Sequence, residues 1–188
     1  MLALLRGMAA TLNPQLEMVT LDAFPLRKTV SKRTYTCVRL RSRSAVTGHG
    51  ECPRITSTDL NTLRAAVQGK EATGYESIRR GLTVASSALA GLDMAMLDLV
   101  RKFTKAAVYQ LLGGPTRNQA RALAQTRDKV WEAWFGFPAM RMVNGKYPLP
   151  EKPGLGFELS EDALKKCSFA GTRPMSRVSH TDGSVAEW

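Results

Sequence analysis

Apolar residues recur at steps of three and four through residues 85–103. Leu89, Leu92, Met96, Leu99 and Phe103 fall on one side of a helix, and Asp93, Asp98, Arg101 and Lys102 on the other. The pattern predicts a long amphipathic helix. A shorter apolar turn, Val108 to Leu112, follows and stops at Gly113-Gly114-Pro115, where a glycine takes the left-handed cap and a proline cannot continue the helix. Upstream, residues 17–26 and 34–43 read as two strands of mixed alternation. Gly48-His49-Gly50-Glu51 leads into a third short strand. Leu60, Leu63 and Val67 are spaced for one helix face, with Ser57, Thr58 or Asp59 as its cap and Gly69 near its end; Tyr75, Ile78 and Leu82 mark another short helix. Strands first and helices after predict an α+β fold: a three-stranded antiparallel meander with helices on one side.

A chain of 188 residues, 44% of them apolar and 23% charged, suits one globular domain with an appended arm. The net charge of +11 and the pI near 10.0 raise the question of an anionic partner. The excess is uneven: Arg27, Lys28, Lys32, Arg33, Arg39, Arg41 and Arg43 crowd a stretch with no acid between Asp22 and Glu51. In a strand, Arg39, Arg41 and Arg43 share one face and Val38 and Leu40 the other, which favours a solvated sheet face over a phosphate-binding surface. Neither zinc spacing nor interleaved stacking aromatics accompany the run. A nucleic-acid module built on residues 27–43 is the rival reading.

Cys37, Cys52 and Cys167 are odd in number and far apart, as in a reducing, cytoplasmic setting without a disulfide framework. His49 and His180 are too separated for an imidazole metal centre. Met1 to Leu12 is too short to span a bilayer and lacks the order of a signal peptide, so no membrane partner is expected.

The words along the long helix carry more than its period. Asp93, Ala95, Asp98, Leu99, Lys102, Val108, Leu111, Leu112, Gly113, Gly114 and Arg117 match the segment D-x-A-x-x-D-L … G-K-x-x-G-x-P-V-x-x-L-L-G-G-x-x-R. That segment closes the N-terminal cap domain of the enolase superfamily, in its mandelate racemase and muconate lactonizing branch, and the chain resembles it. Arg101 and Lys105 stand where the family usually has glycine and Ala107 where it usually has proline, residues that let the chain turn sharply between two helices. Val38, Arg39, Gly48, Gly50 and Glu51 match the strand pair V-R-I-x-x-x-x-G-x-x-G-x-G-E that opens the same domain. From Pro148, the run P-L-P-x-K-P-G-L-G-F-E-L is similar to the family's C-terminal tail, which folds back onto the cap.

The resemblance implies an N-terminal extension at 1–16, a cap domain at 17–117, a junction at 118–130 where a barrel would be, and a C-terminal arm at 131–188 completing the cap. A (β/α)₈ barrel takes about 200 to 250 residues, and only a few separate the two matched ends here. The family abstracts a proton α to a carboxylate, with Mg²⁺ on three barrel carboxylates and a lysine or histidine base. None of those strands is recognisable, so the resemblance implies an acid-sugar dehydratase or racemase without its catalytic middle, no metal of its own, and no catalysis alone. By the same resemblance, Lys28, Lys32, Arg33, His49 and Glu51 fall in or beside cap loops that choose substrates. The face that would meet the barrel would be apolar and open, favouring self-association.

The remaining candidates read as structural. Asp93 and Asp98 lie about 140° apart around a helix and cannot converge on one ion; capping and solvation account for them better. Lys165-Lys166 is adjacent rather than the family's Lys-x-Lys. Ser179, His180 and Asp182 are neighbours along the chain, unlike a triad assembled from separate segments. Trp131, Trp134, Phe135 and Phe137 form an aromatic cluster suited to core anchoring.

Overall fold

In a computed structural model the described residues are 13–27, 34–121 and 143–169. Three strands, β1 (Met18–Arg27), β2 (Thr34–Ser42) and β3 (Thr47–Cys52), form an antiparallel sheet in the order β1-β2-β3. The register pairs Ala23 with Val38 and Arg39 with His49, and is interrupted by an irregularity between Met18 and Thr20. The meander and its α+β class stand as the strand pattern predicts.

Helix α1 (Ser57–Val67) is capped not by Ser57, Thr58 or Asp59 but by Thr56, one residue earlier, whose Oγ1 accepts the Asp59 N–H at 3.0 Å. Tyr75–Arg80 forms α2 and Ser86–Phe103 the long α3. Val108–Leu111 forms α4. A small antiparallel pair follows, β4 (Gln119–Arg121) with β5 (Lys146–Pro148), then α5 (Glu161–Cys167), whose first turn is capped by Ser160 Oγ accepting from Ala163 N–H.

The sheet is covered on both faces. Val38, Leu40 and Cys52 meet Leu63, Leu92 and Leu99 in the major core. On the other face Leu26 and Cys37 meet Ala163 and Leu164 of α5, with Phe24, Tyr35, Leu159 and Cys167 around them. Burial of an aliphatic side chain such as Leu164 contributes about 2 kcal/mol. The arm is also tied by backbone: Ser168 bridges Leu26, and the Phe169 N–H donates to the Pro25 carbonyl at 2.9 Å.

Helix α3 approaches β3 unusually closely because glycines face it. A Cβ on Gly48 would overlap the Ala95 carbonyl oxygen, and one on Gly50 that of Gly91. The helix is therefore rotated from the simple amphipathic reading. Ala88, Gly91, Leu92, Ala95, Met96, Asp98 and Leu99 are its buried residues.

Candidate functional site

The charged centre of the molecule lies where α3, the free edge of β3 and the returning arm meet. Residues 98 and 102 are one helical turn apart and so share a face. Asp98 is completely buried. Its Oδ2 accepts the backbone N–H of His49 at 2.8 Å, satisfying an edge donor of β3, and its Oδ1 accepts the Leu155 N–H at 2.7 Å. Lys102 Nζ stands 2.9 Å from Asp98 Oδ2, 2.6 Å from Glu158 Oε1 and 3.3 Å from His49 Nδ1. An ammonium has three N–H groups, and three acceptors surround this one. The His49 ring, 3% exposed, also stacks on Phe157 with centroids 6.4 Å apart.

Burial by itself raises the Asp98 carboxyl. The His49 imidazole, the Lys102 charge and the Leu155 N–H outweigh it and hold the group below the usual carboxylate range. A carboxylate so enclosed offers no face to a substrate. It joins three segments: sheet edge, helix and arm. Asp98 is thus not the solvated or capping residue expected from its helical position. The reason is that α3 is covered on a second side, by the arm at Gly154 and Leu155.

The centre does not fit Mg²⁺. Its carboxylates already surround an ammonium, and among the described residues no group of three or more His, Cys, Asp or Glu could hold a metal ion.

Of the sequence-level candidates, Lys28, Lys32 and Arg33 lie outside the described residues, as do the Met1–Leu12 stretch, most of the junction, the Trp131–Phe137 aromatics and Ser179, His180 and Asp182. His49 is drawn into the Asp98 centre, while Glu51 is half-buried opposite Cys37 in the register. Arg39 is not a solvated sheet residue: it pairs with Asp22 and Glu161, and its guanidinium lies 4.8 Å above the Phe24 ring. The arm covers the face it projects from. Arg43 follows β2 in a turn and pairs with Glu17 at 2.5 Å; Arg41 is exposed. Cys37 and Cys52 are both buried free thiols. Burial, with Glu51 and Cys52 nearby, pushes Cys37 up to about 12; burial and Glu51 push Cys52 up to about 11.

The turn after α3 keeps its sharpness despite the three departures. Lys105 takes a φ of 55°, the left-handed conformation that a glycine would adopt without strain. Arg101 spans the turn: its Nε donates to the Ala107 carbonyl at 3.2 Å, and Nη2 to Gln110 Oε1 at 3.1 Å. Among the described residues no helix is long and apolar enough to cross a membrane.

Residues 17–113 match the family model described as mandelate racemase / muconate lactonizing enzyme, N-terminal domain. A D-mannonate dehydratase of Xanthomonas oryzae pv. oryzicola is 31% identical over 144 residues, 60% of this chain and 33% of that protein. An L-rhamnonate dehydratase of Saccharopolyspora erythraea is 31% identical over 108 residues, 51% of this chain and 26% of its own length. The chain therefore spans a third or less of these curated relatives. Among solved structures, muconate cycloisomerase from Pseudomonas fluorescens has the same fold over 63% of this chain and 39% of its own, with TM-score 0.52 and 19% identity.

Proposed function

The chain belongs to the mandelate racemase / muconate lactonizing enzyme family through its N-terminal domain, and from that premise we propose that it is the capping part of an acid-sugar dehydratase-like member, shortened internally and without catalysis of its own. The observation that carries this reading is the junction: residues 122–145 alone separate β4 from β5, which pair directly. A barrel of about 200 residues has no place between them. The arm, meanwhile, is docked on the cap through Asp98, Lys102 and Glu158.

The substrate class rests on the two dehydratases, named for D-mannonate and L-rhamnonate. In an intact relative, Lys28, Lys32 and Arg33 would offer cations to an acid sugar's carboxylate, beside His49 and Glu51. In this chain His49 is taken up by the Asp98 centre. In an intact relative Mg²⁺ would be held by carboxylates of the barrel. Free thiols suit the cytoplasm. The exposed Leu111, Leu112 and Val143 support self-association.

The test is an assay of the purified full chain on D-mannonate and L-rhamnonate with and without Mg²⁺. No dehydration above the uncatalysed rate is expected. Mg²⁺-dependent turnover abolished by His49→Ala would overturn the reading.

A further inference from the structure

The two cores of the sheet depend differently on the arm. Among the described residues, every buried member of the major core lies between Leu16 and Leu99, so none of them comes from the arm. The second core takes only Ala163 and Leu164 from α5 as buried members. The charged centre divides the same way. If the arm lifts, Asp98 loses the Leu155 N–H but keeps that of His49 and the Lys102 ammonium, so its buried charge stays compensated. Glu158, by contrast, is 63% exposed and can exchange Lys102 for water.

We propose that residues 154–169 of the C-terminal arm are a strap that opens from the second face of the sheet while the major core stays closed, with Lys102 and Glu158 as its catch. Opening is a sub-global event that costs the small core, the catch, the Leu155 N–H bond to Asp98, the Arg39–Glu161 pair, and the backbone ties of Gly154 to Ala106 and Val108 and of Ser168 and Phe169 to Leu26 and Pro25. It uncovers Leu26 and Cys37, both buried in the closed state, beside the partly buried Phe24.

Two cysteines on paired strands report it. Cys37 packs under α5. Cys52 packs under α3, against Gly91, and its thiol lies 3.7 Å from the Thr36 carbonyl oxygen. Opening the strap exposes the first and leaves the second covered. The experiment alkylates the native full chain with iodoacetamide and follows each cysteine-containing peptide by mass spectrometry, which separates both from Cys167.

Cys37 is expected to react at least about tenfold faster than Cys52. Glu158→Gln, at an exposed position that leaves the fold intact, should speed Cys37 by about fivefold without moving Cys52. Leu164→Ala, which empties the small core, should speed it by about a hundredfold. Equal rates for the two thiols in all three proteins would overturn the strap, since they would then be exposed only by global unfolding. A Cys37 rate raised by Leu164→Ala but not by Glu158→Gln would overturn the catch.

Discussion

Gly154 lies against the Asp98 carboxylate with no room for a side chain: a Cβ there would overlap Oδ1, and its φ of 67° is one that L residues rarely adopt. The glycine lets the arm come close enough for the next residue, Leu155, to donate its N–H to that carboxylate. Gly154→Ala should therefore cost about 2 kcal/mol in denaturant unfolding, through left-handed strain and loss of the Asp98 contact. Gly69→Ala, at a left-handed glycine with open space around it, supplies the control and should cost about 1 kcal/mol.

Asp98→Asn should lower stability at pH 7 by about 3 kcal/mol, because Lys102 loses its buried partner. The effect carries a pH signature. Neighbours hold the folded carboxyl below its ordinary value. The ionised group therefore stabilises the fold in full above the unfolded carboxyl value, near about 4, and that contribution is lost as pH falls through the folded value. Urea unfolding should show a wide gap between wild type and Asp98→Asn at pH 7 that narrows below about pH 4. A gap independent of pH would remove the charge from the explanation.

Lys105→Gly should raise stability by about 0.5 to 1 kcal/mol, since the residue already sits in the left-handed region. A higher midpoint in thermal unfolding checks it. Arg101→Ala should act the other way, releasing the Ala107 carbonyl and Gln110 from the turn they close.

The meander, the helix periods and the α4 stop could be read from the chain because each depends on local spacing and turn chemistry. The Asp98 centre could not. Its partners come from β3 and from a tail far along the chain, and helical periodicity assigns a charge to solvent when nothing local covers it. A trace was present: Gly48, Gly50 and Gly91 announce close packing of α3 on β3, and Asp98 falls on the seam between that contact and the arm. Arg39 was misplaced for a related reason. Alternation gives its face correctly but not what α5 lays over that face.

The basic composition should not translate into tight nucleic-acid binding. Arg39 and Arg43 already face carboxylates within the fold, so releasing them for phosphates costs their existing pairs. A fluorescence titration with duplex DNA across salt concentrations should give weak binding with a shallow slope. A steep loss of affinity with salt would favour the rival reading of residues 27–43.

One carboxylate holding two amides distant in the sequence is the feature on which the docked arm rests. Native-state hydrogen exchange at the His49 and Leu155 N–H groups, both of which donate to Asp98, tests it most directly. Both amides should be protected well beyond an unstructured chain, Leu155 less than His49, and Asp98→Asn should speed both. Exchange of Leu155 at the unstructured rate, with His49 still protected, would contradict the account.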